Sequence, residues 1–125
     1  MTNRKLLNHK LTSFKKTYHF GLRLNESMRV LTKYPDRIPI ICEKHLGCDL
    51  MEINKQKYLV ENDLTCGQFI YVIRQRLRLP PEKAIFLIVN GIIPPTTSTI
   101  SEIYNKYKNE DGFLYISYMN ENVFG

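Results

Sequence analysis

A strand gives way to a helix within residues 57–69, KYLVENDLTCGQF. The first four of these residues are rich in β-formers, which predicts a short strand. Thr65 and Gln68 then stand three residues apart, the spacing of a capping box, in which both side chains satisfy backbone N–H groups where a helix begins. The sequence therefore predicts a strand, a short connection and a helix that runs to about Leu79, where two prolines follow.

The residues upstream complete a hairpin. Residues 38–42 are a β-branched run, in which Ile38, Ile40 and Cys42 would share one face of a strand. Residues 47–54 indicate a turn, so this run and the strand at residues 57–60 predict an antiparallel pair.

A helix is predicted before the hairpin. Leu24, Met28 and Leu31 recur at helical spacing. Pro35 would end this helix, because the residue before a proline disfavours the helical region.

Two more strands and a short helix are predicted downstream. Residues 84–89 are almost continuously apolar, which predicts a central strand buried on both faces. Thr99 and Glu102 form a second capping box, which predicts a short helix, and residues 113–118 predict the final strand. The chain therefore has an α+β order, and a hairpin, a crossing helix and two further strands make the ubiquitin-like β-grasp arrangement.

The positive charge of the chain lies near its N-terminus. Residues 1–37 contain nine Lys and Arg against two acidic residues, whereas the remainder has a net charge of −1. Such a segment could bind nucleic acid, anionic lipid or an acidic protein, and a solvated basic face is equally compatible with it. Leu6, Leu7, Leu11 and Phe14 recur at near-helical spacing, which fits a membrane-surface helix, a helix packed on the core or a disordered tail equally well.

Composition disfavours several other classes of protein. No apolar run is long enough to span a membrane and no secretory signal is evident, so we expect the chain to stay in the cytosol. The three cysteines, Cys42, Cys48 and Cys66, are odd in number and irregular in spacing, which favours a reducing compartment and idle thiols. Metal-ligand spacing, a nucleophile–base pair and a phosphate-binding glycine loop are all missing from the sequence, so neither an enzyme nor a metal site is predicted. Without an aromatic stacking platform, nucleic-acid binding is also disfavoured.

Short blocks of sequence recur at even spacing from Phe20 to Gly125. They are KYPDRIP at 33–39, EK at 43–44, KYLV at 57–60, DLT at 63–65, GQF at 67–69, IR at 73–74 with Arg76, VN at 89–90, IPPT at 93–96, ED at 110–111, FLY at 113–115 and the final Gly125. In this order they resemble the autophagy-related protein 8 family, nearest its GABA-receptor-associated branch. The resemblance implies a four-stranded mixed sheet, crossing helices and two additional N-terminal helices. We expect a basic helical extension over residues 1–36, a β-grasp core over residues 37–118 and a flexible conjugation tail over residues 119–125.

The resemblance also implies chemistry at the tail. The Gly125 carboxylate would be activated as an adenylate, passed to enzyme cysteines as a thioester, and joined to phosphatidylethanolamine. Glycine suits this route because the absence of Cβ lets the backbone pass through narrow enzyme channels, and Phe124 would give a processing protease an apolar side chain to hold. No cofactor is implied beyond the covalent lipid. Nothing follows Gly125 in this sequence, so either the protein is made ready for conjugation or the sequence is that of a processed form.

Two pockets for short aromatic-x-x-aliphatic motifs are implied as well. An extended peptide would pair with the edge strand at residues 57–60, as in β-strand addition. The first pocket would be lined by Glu26, Val30, Pro39, Ile41, Lys57, Leu59 and Phe113, and the second by Tyr58, Val60, Leu64, Phe69 and Val72. Arg37, Lys55, Lys57 and Arg76 would attract acidic residues beside the motif. Glu61 stands where the family has proline, which would alter motif preference at the second pocket.

The resemblance implies a set of partners and a location. The partners are the activating, conjugating and deconjugating enzymes of autophagy, motif-bearing receptors, and a membrane reached through the lipid. The protein would be cytoplasmic, and would lie on autophagosomal or other vesicle membranes after lipidation. The alternative is an unconjugated cytosolic adaptor or tubulin-binding trafficking protein that uses the basic N-terminus, and removal of Gly125 would distinguish the two.

Overall fold

Four strands and four helices make up residues 13–120, the part of the chain that the computed structural model describes. The helices are α1 (Phe14–Thr17), α2 (Phe20–Lys33), α3 (Cys66–Leu77) and α4 (Ile100–Tyr107), and the strands are β1 (Arg37–Lys44), β2 (Lys57–Glu61), β3 (Ile85–Ile88) and β4 (Leu114–Asn120).

The strands form one mixed sheet in the order β2-β1-β4-β3. Strand β1 pairs antiparallel with β2 and parallel with β4, and β3 pairs antiparallel with β4. Helices α3 and α4 cover one face of the sheet, where Ile40, Ile73 and Ile100 are fully buried in the main core. The predicted α+β fold is confirmed, with two helices before β1 in the described chain.

Strand β3 is at an edge of the sheet, so the prediction of a central strand over residues 84–89 was wrong. Ile85 and Leu87 are buried, whereas Phe86 and Ile88 are half-buried. An apolar run shows that a strand packs against something, but not where the strand lies in a sheet. The central positions belong to β1 and β4, because β4 pairs with both β1 and β3.

Strand β4 continues two residues beyond its predicted end. Met119 pairs with Phe86 and Asn120 pairs with Ile85, and Met119 is only 2% exposed. A tail that starts at residue 119 is therefore incorrect, because pairing with β3 extends the strand to Asn120. The rest of the division into extension, core and tail stays a prediction.

Both predicted capping boxes are present. Thr65 Oγ1 accepts from the Gln68 N–H at 3.1 Å, and Gln68 Oε1 accepts from the Thr65 N–H at 2.9 Å. The same exchange joins Thr99 and Glu102 at the start of α4. Helix α3 ends at Leu77, two residues earlier than predicted, because Arg78 turns into the left-handed region with φ of 55°.

A buried carboxylate fastens α2 to the sheet. Asp111 is fully buried, and its Oδ2 accepts from Arg23 Nη1 at 2.6 Å and from the Tyr115 hydroxyl at 2.5 Å. Its Oδ1 accepts from the Phe113 N–H at 2.9 Å. The Ser27 hydroxyl donates to the Asp111 carbonyl at 2.5 Å. Because every oxygen of this aspartate has a partner, α2 is held in one position over residues 111–115.

Candidate functional site

A cavity of about 250 Å³ opens between α2 and strand β2. It is lined by Glu26, Val30, Pro39, Lys55, Lys57, Tyr58, Leu59 and Phe113. Six of the seven residues predicted for the first pocket therefore meet around one opening. The exception is Ile41, which is fully buried beneath it and packs with Phe14 and Phe113. Lys55 and Tyr58 also line the cavity, although the sequence placed them elsewhere in the site.

Charged side chains lie at the mouth of this cavity, and an aromatic ring lies at its base. Lys57 Nζ lies 2.5 Å from Glu26 Oε2, and both side chains are partly exposed. The ring of Phe113 is buried and meets the ring of Phe14 edge-on, with centroids 5.3 Å apart. The cavity therefore combines an apolar base with one carboxylate and two ammonium groups at its rim, an arrangement suited to an aromatic group with a polar edge.

Helix α1 supports the cavity from behind. Phe14 is buried, and its backbone N–H donates to Glu43 Oε2 at 2.7 Å. Of the three possibilities left open for the N-terminal apolar residues, Phe14 follows the second, a helix packed on the core. Leu6, Leu7 and Leu11 lie outside the described residues.

The residues predicted for the second pocket cluster at the core rather than around an open cavity. Val60, Leu64 and Val72 are half-buried against the main core. Phe69 is fully buried and meets the ring of Tyr58 edge-on at 5.5 Å. This corrects the expectation that Phe69 faces a partner, because one turn of α3 brings it onto the same buried side as Ile73.

An open depression of about 300 Å³ does lie on the outer side of α3, but only Val72 of the predicted set lines it. Its other residues are Tyr71, Gln75 and Arg76. Tyr71 and Gln75 were not predicted as lining residues. Their spacing of four residues places them on one helical face, and this was the available signal.

Strand β2 has a backbone edge with no strand neighbour among residues 13–120. It is an end strand of the sheet and pairs only with β1, from Arg37 opposite Glu61 to Ile41 opposite Lys57. An exposed edge of this kind is a template for an added strand.

Two of the cations predicted to attract acidic residues lie against tyrosine rings. The guanidinium of Arg37 lies 4.9 Å from the ring of Tyr34, and Lys55 Nζ lies 5.1 Å from the ring of Tyr58. Burial raises the pKa of Tyr58 to about 12, an effect that the nearby Arg76 guanidinium partly offsets. No hydrogen bond of good geometry reaches the Tyr58 hydroxyl within the described chain.

The buried thiols are poorly placed for nucleophilic chemistry. Cys42, Cys48 and Cys66 are all buried and free. Burial raises the pKa of both Cys42 and Cys66, so these thiols stay protonated at neutral pH.

Among residues 13–120 no group of three His, Cys, Asp or Glu side chains is arranged to hold a metal ion. No helix in this range is long and apolar enough to cross a membrane. The predicted tail residues Phe124 and Gly125 lie outside the described range.

Residues 22–125 match the family model described as autophagy protein Atg8, ubiquitin like. This chain belongs to the Atg8 family. Autophagy-related protein 8 of Schizosaccharomyces pombe is 55% identical over 114 residues, which cover 91% of this chain and 94% of the relative. The corresponding protein of Pichia angusta is 57% identical over 114 residues, which cover 91% of each chain.

Solved structures agree with this assignment. The crystal structure of Trypanosoma brucei ATG8 superposes with a TM-score of 0.84 at 42% identity, covering 87% of this chain and 94% of that one. Plasmodium falciparum Atg8, solved in complex with a Plasmodium falciparum Atg3 peptide, gives a TM-score of 0.79 at 32% identity, covering 86% and 98%. The chain is therefore a ubiquitin-like protein of autophagy, and the predicted family is confirmed.

Proposed function

We propose that this Atg8-family chain is a ubiquitin-like modifier, joined through Gly125 to phosphatidylethanolamine on autophagosomal membranes, where it recruits receptors with aromatic-x-x-aliphatic motifs. The observation that carries the proposal is the apolar cavity beside the free edge of β2. A cavity next to an unpaired strand edge can bind the backbone and one side chain of the same extended peptide.

The peptide would lie along β2 as a fifth strand. Its aromatic side chain enters the cavity over Phe113, where the Glu26 carboxylate can accept a hydrogen bond from an indole N–H. Three residues along an extended chain span about 10 Å, which brings the aliphatic side chain toward Val60, Leu64 and Val72. Arg37, Lys55, Lys57 and Arg76 attract acidic residues beside the motif and speed association.

The conjugation steps use the tail and the nucleophiles of partner enzymes. ATP activates the Gly125 carboxylate with loss of pyrophosphate, an enzyme thiolate displaces AMP, and the lipid amine displaces the thiolate to leave an amide. The buried thiols of this chain take no part, and the chain itself is not an enzyme. The Atg3 peptide bound by the Plasmodium falciparum relative supports a conjugating enzyme of the same kind as a partner of this chain.

Further points of the proposal follow from the family resemblance. The activating and deconjugating enzymes of the pathway would act on the same tail, with Phe124 held by the protease. The protein would be cytoplasmic before conjugation and membrane-bound after it. The same resemblance would place the chain near the GABA-receptor-associated branch.

Reconstitution tests the conjugation directly. The chain is incubated with the activating and conjugating enzymes of the pathway, ATP and liposomes that contain phosphatidylethanolamine, and intact mass is measured. We expect a lipid adduct on the natural sequence and a large loss of it for Gly125→Ala, because an added Cβ obstructs passage through the enzyme channels. The absence of an adduct with enzymes that conjugate another family member would favour the unconjugated adaptor.

A further inference from the structure

The loop between β1 and β2, residues 45–56, exposes two large apolar side chains. Leu46 is 74% exposed and Met51 is 63% exposed, and Leu46 is the most exposed large apolar residue of the described chain. Asp49 and Glu52, both exposed, stand beside them in the same loop. The charge of this loop is mixed, because Glu52 Oε2 lies 3.6 Å from Lys44 Nζ. Two large apolar side chains this exposed in one short loop leave apolar area in water that a partner can cover.

This loop is fastened to the strand from which the tail emerges. The His45 N–H donates to the Tyr118 carbonyl at 2.9 Å, and the Tyr118 hydroxyl donates to the Met51 carbonyl at 2.5 Å. The Asn120 side chain donates to Asp49 Oδ1. These contacts form because β1 and β4 pair in parallel, which brings the C-terminal ends of both strands to the same end of the sheet. Leu46 and Met51 are therefore held near the last described residue of β4.

Covalent geometry limits how far Gly125 can lie from this loop. Gly125 is the fifth residue after Asn120, and five residues span at most about 18 Å. A specific protein interface covers about 800 Å² on each partner, a patch roughly 30 Å across. An enzyme that takes Gly125 into its active site must therefore approach the end of the sheet where this loop lies.

We propose that Leu46 and Met51 form a docking surface for the enzyme that adenylates Gly125. This inference rests on the proposed conjugation. The adenylating enzyme is the favoured partner because it must capture the free chain by non-covalent contacts, whereas later steps act on a chain already tethered by a thioester or a lipid. The matching surface on that enzyme would be apolar, because Leu46 and Met51 supply the exposed contacts of this loop.

The test compares the natural chain with L46S/M51S and with a matched control, I92S/I93S. The control side chains are 46% and 49% exposed and follow the end of β3 that lies away from Asn120. Each chain is assayed with the adenylating enzyme alone by Gly125-dependent pyrophosphate exchange, and then through thioester formation and lipid transfer. Thermal unfolding and binding of an aromatic-motif peptide are measured in parallel to confirm the fold and the β2 site.

We expect L46S/M51S to lower kcat/KM for pyrophosphate exchange roughly tenfold or more, the size of losing a central apolar contact, mainly through a higher KM. The control should stay within about twofold of the natural chain, as expected for exposed residues outside an interface. An unchanged exchange rate for L46S/M51S overturns the inference, as does an equal loss in the control or a loss confined to lipid transfer. If the natural chain itself shows no Gly125-dependent pyrophosphate exchange, the proposed conjugation is wrong, and so is the docking surface that rests on it.

Discussion

At the scale of single residues, Asp111 joins the N-terminal helix to the sheet. Its carboxylate accepts from Arg23, Tyr115 and the Phe113 N–H, and it is fully buried. Asp111→Ala would remove the buried carboxylate that pairs with Arg23 Nη1 and accepts from the Tyr115 hydroxyl and the Phe113 N–H. We expect the free energy of unfolding to fall by about 3–5 kcal/mol, the cost of breaking a buried pair from one side, as measured by urea denaturation.

Glu52→Ala is the matched control for this prediction. Glu52 Oε2 lies 3.6 Å from Lys44 Nζ, and its side chain is 41% exposed. An exposed pair of this kind contributes at most about 1 kcal/mol, so the control should unfold nearly as the natural chain does. Equal losses of unfolding free energy in the two variants would show that the buried Asp111 contributes no more stability than an exposed ion pair.

At the scale of elements, α3 and α4 begin side by side. Thr65 and Thr99, the two capping residues, form an antiparallel bridge, and the Cys66 N–H donates to the Ser98 carbonyl at 2.8 Å. We expect Thr65→Ala to lower the free energy of unfolding by about 1 kcal/mol, because the Gln68 N–H loses its acceptor. Thr97→Ala, an exposed threonine in the preceding turn, should change it by less than about 0.5 kcal/mol. Chemical denaturation of both variants provides the comparison, and a Thr65 effect no larger than that of Thr97 would rule out a stabilising cap.

At the scale of the whole molecule, the cavity exists only because α2 packs beside the sheet. Val30 comes from the helix, whereas Leu59 and Phe113 come from β2 and from the residue just before β4. We expect Val30→Glu to weaken binding of an aromatic-x-x-aliphatic peptide roughly tenfold or more, because a carboxylate would enter the site of the aromatic ring. Isothermal titration calorimetry measures the affinity.

The control for this prediction is Thr32→Glu, which adds the same charge at an exposed position of the same helix. It should change the affinity less than about threefold, since exposed charges act weakly at a distance. A peptide with alanine in place of the aromatic residue should bind both variants equally poorly. If Thr32→Glu weakens binding as much as Val30→Glu, charge and not the cavity controls recognition.

The sequence by itself determined the local features of this protein. The capping boxes at Thr65 and Thr99, the hairpin and the family blocks were predicted correctly, because each depends on residues close together in the chain. Six of the seven residues that the resemblance implied for the first pocket line the cavity beside β2.

Only the tertiary structure decided where each element lies and which of its residues are buried. The edge position of β3, the burial of Phe69 and Ile41, and the internal carboxylate of Asp111 all depend on pairings between distant parts of the chain. An apolar residue looks the same in a sequence whether it packs in the core or lines a site. Its role is fixed only when β4 enters between β1 and β3 and the helices cover the sheet, because burial depends on neighbours that the local pattern does not specify.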